Sequence, residues 1–318
     1  MKTPAVPFSH LAQLDLGLTS QDLRELFLPF ARPVPCDASE WKRDLFRRKR
    51  RILKRLLRQH LTGGRSQGRT SDAVLEEYSK AWSGLDYAVY DPEGGGTKPI
   101  PWHLGKECFL ASDVGATRVR QQLLVRVIER LRPRRVLEVG CGNGINLLLA
   151  AGRFPEVSFT GLELTEVGVA AAQGFQQQHD ELPSALQAFA PEPLEDKQAF
   201  RRIEFVQGNA AAMPFETGQF DLVYSMLALE QMEAIRLQAL GEIARVANGA
   251  YFGVEPFREA NASGWRRLYV RQRGYFRGSF ADLAASGLKS RWATTEFPQE
   301  VFLGACAVLA DAAPPRAA

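Results

Sequence analysis

Three glycines at alternate positions, Gly140, Gly142 and Gly144, are the residues whose spacing most clearly predicts chemistry. Glycine lets the backbone approach a ligand closely, so a turn of this kind suits a bound nucleotide. The spacing differs from the G-x-G-x-x-G pattern of dinucleotide-binding turns. Glu138, just before the turn, suits the cationic end of an amino-acid-like ligand better than a pyrophosphate. The turn therefore predicts a nucleotide other than a dinucleotide.

The elements around this turn are predicted from its flanks. Val136, Leu137 and Val139 form an apolar run with too little alternation for a half-exposed strand, as expected of a buried parallel strand. From Asn146 the sequence predicts a helix whose N-terminal N–H groups face the turn. Strand, turn and helix together predict the nucleotide-binding corner of a doubly wound sheet.

Further strands follow at regular intervals. Ser158–Glu163 ends in a carboxylate that can accept hydrogen bonds from ribose hydroxyls. A third strand is expected near 203–206, followed by a loop that could hold an adenine ring, and a fourth at 220–226. Helix 234–246 and a fifth strand ending at Glu255 come next. Alternating strands and helices of this kind predict an α/β protein with a parallel sheet.

In order and spacing these segments resemble the motifs of the class I S-adenosylmethionine-dependent methyltransferases, over about residues 130 to 255. The resemblance implies an α/β, Rossmann-like methyltransferase fold: a seven-stranded, mostly parallel sheet with an antiparallel C-terminal hairpin, here with an N-terminal helical extension. It implies S-adenosylmethionine as cofactor. This chain has Asn209 where the family often has Asp, and Gln231 where relatives often have His. The implied cofactor-binding residues are Glu138, Gly140, Cys141, Gly142, Gly144, Asn146, Glu163, Leu164, Asn209, Ala210, Ser225 and Met226.

The implied reaction is transfer of a methyl group from a sulfonium to a nucleophile, which depends mainly on holding the acceptor in line. A hydroxyl acceptor would also need a base, and the candidates are Glu230, Glu255 and His103. The apolar sequence 225–228 has no N-P-P-Y-type tetrapeptide, which argues against amino-methylation of DNA bases or of glutamine. It favours a small-molecule O- or C-methyltransferase.

Acceptor contacts are expected from aromatic residues in a glycine- and proline-broken loop before the turn, although each of them could instead serve packing. These residues are Tyr87, Tyr90 and Trp102. Two other functions stay open. One is an RNA methyltransferase that uses the basic helix 41–61, and the other is a scaffold protein that keeps the fold without catalysis.

The basic helix is predicted from Trp41 to Leu61, with Ser39 as its cap. Ten Lys or Arg and one Asp lie between residues 42 and 58, and apolar residues at a spacing of three to four are expected to form one face. The face could pack on the core, bind an anionic membrane surface or contact another copy of the chain. Nucleic acid is not an expected partner, because no aromatic platform is interleaved with the charges.

Length and spacing suggest one core domain with additions. The predicted segments are an N-terminal helical extension (1–70), a substrate and cofactor cap (71–115), the methyltransferase core (116–311) and a disordered tail (312–318). The four cysteines form no C-x-x-C pair, which argues against a zinc site and against a disulfide framework, and no metal is expected. The N-terminus does not resemble a signal peptide, so a cytoplasmic protein is expected, with peripheral membrane contact left open.

Overall fold

The computed structural model describes residues 8–62, 87–91 and 97–312. Residues 63–86 and 92–96, which belong to the predicted N-terminal extension and cap, and the predicted tail after residue 312 lie outside the described residues. The described strands are β1 (Ala31–Val34), β2 (Ile100–Leu104), β3 (Glu107–Ala111), β4 (Arg135–Val139), β5 (Ser158–Glu163), β6 (Glu204–Gln207), β7 (Phe220–Met226), β8 (Ala247–Glu255), β9 (Leu288–Thr294), β10 (Gln299–Glu300) and β11 (Cys306–Ala312).

The described α-helices are α1 (Ser20–Phe27), α2 (Ser39–Thr62), α3 (Asp113–Leu131), α4 (Ile145–Arg153), α5 (Glu166–Gln178), α6 (Ser184–Phe189), α7 (Arg236–Val246), α8 (Gly264–Arg273) and α9 (Phe280–Ala285). Short 3₁₀ helices connect several of them, including Tyr87–Tyr90 and Leu229–Gln231.

The larger sheet has seven strands in the order β6-β5-β4-β7-β8-β11-β9. Strands β6, β5, β4, β7 and β8 pair in parallel, whereas β11 runs antiparallel to both β8 and β9. The predicted fold class is therefore confirmed. The two strands of the predicted antiparallel C-terminal hairpin are found at Leu288–Thr294 and Cys306–Ala312.

Helices cover both faces of this sheet. Val136 packs in one apolar cluster with Leu123 of α3, whereas its neighbour Leu137 packs in a second cluster with Leu240 and Ile243 of α7. Successive side chains of a strand point to opposite faces, so an uninterrupted apolar run is what a strand buried on both sides requires. The carboxyl edge of the parallel strands stays available for a ligand.

A second sheet was not predicted. It has the order β1-β3-β2-β10 and is antiparallel, and it joins segments from the N-terminal extension, the predicted cap and the C-terminal region. The prediction that Trp102 and His103 lie in a loop is wrong, because both are in β2. The turn between β2 and β3 is tight, with Gly105 at φ 57°.

The second sheet also explains a wrong prediction about cysteines. Cys36 and Cys108 form a disulfide, although the spacing of the cysteines argued against a disulfide framework. Strands β1 and β3 pair with Val34 opposite Cys108, which brings Cys36 close to its partner despite their separation of 72 positions. A pairing of this kind depends on strand register and leaves no local signal.

Helix α2 packs on the second sheet through only part of its apolar surface. Trp41 and Ile52 are buried, and the Trp41 ring makes an edge contact with His103 of β2. The prediction of a single apolar face is wrong, since four large apolar side chains of the same helix are exposed: Phe46, Leu53, Leu57 and Leu61. In the described part of the chain, no helix has the length and apolar character needed to cross a membrane.

Removal of the Cys36–Cys108 bridge is expected to lower the free energy of unfolding by about 2–4 kcal/mol, because the bridge closes a long loop and restricts the unfolded chain. The measurement is urea unfolding of the wild type, with and without a thiol reductant, beside the double variant Cys36→Ser/Cys108→Ser. The double variant should match the reduced wild type and ignore the reductant, because Cys141 and Cys306 are free and buried. Identical wild-type curves with and without reductant would contradict this prediction.

Candidate functional site

The glycine turn after β4 is held in a conformation that requires glycine. Gly140 has φ 75° and Gly144 has φ 79°, both in the left-handed region. A Cβ atom at Gly140 would lie 2.7 Å from the Cβ of Ala228, and one at Gly144 would lie 2.7 Å from the ring of Phe205. The turn is therefore packed tightly between the loop after β7 and a side chain of β6.

Glu163, at the end of β5, fastens this turn. Its side chain is buried, and Oε2 accepts a hydrogen bond from the Gly142 N–H at 3.1 Å. Oε1 accepts from the N–H and the hydroxyl of Thr165, at 3.0 and 2.7 Å. Thr165 in turn caps α5 by accepting from the N–H of Gly168. One carboxylate thus joins the glycine turn to the start of the next helix.

Glu138, at the end of β4, is only 1% exposed. Its Oε1 accepts from Asn146 Nδ2 at 2.7 Å, which ties it to the first turn of α4. Its Oε2 is buried, and the Tyr224 hydroxyl is the polar group that lies near this carboxyl. Burial raises the pKa of Glu138 to about 8. A buried acceptor beside the glycine turn can receive an N–H group of a ligand.

Glu255, at the end of β8, organises the loop that follows β7. It is fully buried, and its Oε1 accepts from the Ser225 hydroxyl at 2.8 Å and from the N–H groups of Ala228 and Leu229 at 3.1 Å. The Tyr251 hydroxyl lies 2.8 Å from the same Ser225 oxygen. Burial, and then the nearby charge of Glu230, raise the pKa of Glu255 to about 8.

The same loop contains backbone strain. Leu227 has φ 53°, a left-handed conformation that non-glycine residues seldom adopt. Its N–H donates to the carbonyl of Val254, and the next two N–H groups donate to Glu255. Strained residues persist when the surrounding contacts hold them, and they concentrate at functional sites. The loop from Met226 to Glu230 is therefore held in one shape.

Glu230 and Arg120 bring opposite charges to this loop. Glu230 is half-buried on the 3₁₀ helix Leu229–Gln231, with Oε1 accepting from Gln231 Nε2 at 2.8 Å. Arg120 is buried in α3 and has Asp113, Glu230 and Glu255 as electrostatic neighbours. Burial lowers the pKa of Arg120 to about 10, so it remains a cation at neutral pH.

Sequence reasoning missed Arg120, although a signal existed. Position 120 lies on the buried stripe of α3, between Ala116 and Leu123. A charged side chain is rarely buried unless an oppositely charged group lies beside it. Asn143 in the glycine turn was missed as well. Its side chain lies near the hydroxyls of both Tyr87 and Tyr90, and its Oδ1 accepts from the Ile145 N–H at 3.4 Å.

The two tyrosines lie near Asn143 of the glycine turn. The Tyr87 ring packs 4.7 Å from that of Phe175, and the Tyr90 ring 4.9 Å from that of Phe189, measured between centroids. Burial raises the pKa of both hydroxyls to about 12, so both stay protonated. They offer apolar surface and hydrogen-bond donors rather than negative charge.

The other predicted residues fall into two groups. At the carboxyl edge of the sheet lie exposed Leu164, exposed Asn209, buried Ala210, half-buried Met226 and buried Cys141. Trp102 and His103 belong to the second sheet, where Trp102 packs against Phe27 and His103 contacts Trp41 and Cys108. Burial lowers the pKa of His103. Within the described residues, no group of three or more His, Cys, Asp or Glu could hold a metal ion.

Comparisons with known proteins agree with this geometry. Residues 137–252 match the family described as "Methyltransferase domain". The chain is 30% identical to ajmaline N-methyltransferase of Rauvolfia serpentina over 36% of its length and 33% of that protein. It is 29% identical to a probable tocopherol O-methyltransferase, chloroplastic, of Oryza sativa subsp. japonica over 50% of its length and 42% of that protein. The chain thus spans less than half of these relatives.

The solved structure of the cyclase SpnF shows the same fold. The cyclase SpnF aligns with 79% of this chain and 100% of its own, with a TM-score of 0.51 and 17% identity. Geranyl diphosphate C-methyltransferase from Streptomyces coelicolor A3(2) aligns with 78% of this chain and 100% of its own, with a TM-score of 0.49 and 13% identity.

The raised pKa of Glu255 predicts that stability falls as pH rises. The folded state holds this proton up to about pH 8, whereas the ordinary pKa of a glutamate is 4.5. The stabilisation is therefore complete below pH ~4.5 and is lost as the pH rises through about 8. Glu255→Gln keeps an acceptor oxygen and removes the titration. Between pH 6 and pH 9 its melting temperature should therefore fall less than that of the wild type. Each kcal/mol of stability that the wild type loses corresponds to a difference of roughly 2–4 °C.

The matched control for this measurement is Glu156→Gln, because Glu156 is exposed. It should fall with pH as the wild type does. An equal fall for Glu255→Gln and the wild type would show that Glu255 does not keep its proton in the folded state.

Proposed function

From the premise that this chain carries a class I S-adenosylmethionine-dependent methyltransferase domain, we propose that it transfers a methyl group from this cofactor to a small-molecule acceptor. The observation that carries the proposal is the buried Glu163 carboxylate bound to the N–H of Gly142 beside a turn that only glycine can form. It supports a site for a nucleoside at the carboxyl edge of the parallel strands.

The residues around this turn fit the cofactor. A carboxylate oxygen has two lone pairs, and Glu163 Oε2 uses one of them for the Gly142 N–H, so it can accept from a ribose hydroxyl while the backbone contacts are kept. Leu164, 41% exposed directly after it, can cover an adenine ring. Glu138 Oε2 can accept from an ammonium group, which would favour the charged form of this carboxylate. When bound, S-adenosylmethionine supplies an activated methyl group on a positively charged sulfur.

The carboxyl groups near Arg120 are given different roles in this proposal. Glu230 is the proposed base, since it is half-buried in the loop after β7 and has the Arg120 cation as an electrostatic neighbour. Glu255 is a positioning residue, since one of its oxygens already holds Ser225, Ala228 and Leu229. His103 is the alternative base, and its contacts in the second sheet favour a structural role.

The acceptor is proposed to be apolar and to be methylated on oxygen or carbon. Tyr87, Tyr90 and Met226 offer it apolar surface, and the tyrosine hydroxyls stay neutral at physiological pH. The names of the relatives refer to O- and N-methylation of small molecules by those proteins. The fold is also similar to that of a cyclase, and a fold alone does not determine the reaction. A reaction other than methyl transfer is therefore the alternative.

RNA is the less favoured substrate. The cations of 41–61 alternate with exposed leucines, which have no partner in a phosphate backbone. A screen with labelled S-adenosylmethionine against extracted metabolites, with the product identified by mass, separates these functions. Label in a small molecule supports the proposal. Label in RNA would show an RNA methyltransferase instead. Cofactor binding without any methyl transfer would show a scaffold protein.

Cofactor binding should depend on Glu163. Glu163→Ala removes the expected ribose hydrogen bond to a charged acceptor, for a loss of about 2–3 kcal/mol, or roughly 30- to 150-fold in Kd. Calorimetry with S-adenosylmethionine measures this loss. The matched control is Glu166→Ala, because Glu166 lies three positions further along the chain and is exposed. This variant should bind the cofactor as the wild type does. No binding by the wild type, or equal binding by Glu163→Ala, would reject the assigned site.

Turnover should depend on Glu230 more than cofactor binding does. Glu230→Gln is expected to lower kcat on the acceptor found by the screen by about 10²-fold or more, because the base is lost. The Kd for the cofactor should stay within about threefold, or ~0.65 kcal/mol. The variant should also lose the limb of the pH–rate profile that belongs to the base, whereas Glu255→Gln should retain it. An unchanged kcat in Glu230→Gln would show that Glu230 is not the base, and that His103 is the base or that transfer needs none.

A further inference from the structure

We propose that α2 docks on the surface of an anionic lipid bilayer. The contact is made by what we call the outer face of α2: Phe46, Leu53, Leu57 and Leu61 with the lysines and arginines beside them. The proposal concerns a surface that takes no part in methyl transfer, so it can hold or fail independently of the proposed reaction.

The outer face is distinct from the face that packs on the protein. Trp41 and Ile52 are 2% and 3% exposed, whereas Phe46, Leu53, Leu57 and Leu61 are 65%, 52%, 59% and 75% exposed. At 100° per residue, the four exposed side chains fall within about 80° of arc, on the side opposite Ile52. They form one continuous apolar row along four turns of the helix. Burial against the described protein does not account for this row.

Exposed cations lie beside the row, most of them on one side of it. Lys42, Arg43, Arg47, Arg50, Arg51, Lys54 and Arg55 are all exposed. Beyond Asp44 the helix contains no acidic residue. The acidic residues near its beginning are used locally, since Glu40 pairs with Arg32 and Asp44 pairs with Arg47 and Arg48. The outer face therefore combines apolar side chains with a positive charge that the helix itself does not neutralise.

A bilayer with anionic headgroups matches this combination best. The apolar row can enter the region of the acyl chains, while long lysine and arginine side chains reach the headgroups. Two copies of this face would bring two sets of like charges together, which opposes a dimer. In a nucleic acid complex, phosphates could meet the cations, but the leucines would stay exposed.

The neighbouring helix extends the surface. Lys49 Nζ lies 5.3 Å from the centre of the Trp265 ring on α8, and Gln59 Nε2 donates to the Gln272 carbonyl at 2.8 Å. Trp265 is half-exposed, and an aromatic ring of this kind suits a membrane–water interface. Tyr269 of α8 has both Arg48 and Glu230 as electrostatic neighbours. The docked helices would thus flank the acceptor end of the site, which, on the proposed function, suits an acceptor dissolved in lipid.

The experiment is sedimentation of the full chain with vesicles of neutral phosphatidylcholine and with vesicles containing 30% phosphatidylglycerol. Binding to the anionic vesicles should be at least about tenfold stronger at 0.1 M salt and should weaken severalfold at 0.5 M. Leu53→Gln/Leu57→Gln should lose about tenfold or more of this binding, and so should Arg50→Gln/Arg51→Gln. None of these side chains is buried, so the melting temperature should be unchanged.

The matched control is Leu237→Gln, which changes a leucine of similar exposure, 55%, on α7. It should bind vesicles as the wild type does. Equal binding to neutral and anionic vesicles, or wild-type binding by the leucine double variant, would overturn the proposal. A concentration-dependent dimer that the leucine variant abolishes, without vesicle binding, would assign the face to a second copy. RNA binding that survives the leucine substitutions while vesicle binding is absent would overturn it too.

Discussion

Buried carboxylates at the ends of parallel strands determine the shape of the candidate site. Glu138, Glu163 and Glu255 each end a strand, and each has an oxygen that accepts hydrogen bonds from the following loop or helix. Burial of an ionisable group is unfavourable unless neighbouring donors offset it, so these loops are kept where their donors meet the carboxylates. The glycine turn, the start of α4 and the strained loop at Leu227 are all positioned in this way.

This constraint also sets the electrostatics of the site. Burial raises the pKa values of Glu138 and Glu255 to about 8, whereas Arg120 stays cationic beside Glu230 and Glu255. Two carboxyl groups near one guanidinium, with different exposure, can take different protonation states at one pH. The proposed division between Glu230 as base and Glu255 as positioning residue follows from that difference in exposure and in hydrogen bonding.

Beside the seven-stranded sheet the chain forms a small antiparallel sheet on which α2 packs. The small antiparallel sheet is assembled from β1, the β2–β3 hairpin and β10, and a disulfide joins its first strand region to β3. It provides the surface on which α2 buries Trp41. Because that contact uses only one side of α2, the other side presents its apolar row to the surroundings. The second sheet thus separates a helix face that stabilises the protein from a face available to a partner.

The parallel core could be predicted from the order of residues in the chain. Strand, glycine turn, helix and strand-terminal carboxylate follow one another within short stretches, so the order of types in the chain is enough to predict them. Tertiary structure decided what joins distant segments: the second sheet, the Cys36–Cys108 bridge, and the meeting of Arg120 with Glu230 and Glu255. It also decided which apolar side chains of α2 are buried. Helical periodicity groups side chains by direction, but only the position of a neighbouring surface determines which direction is covered.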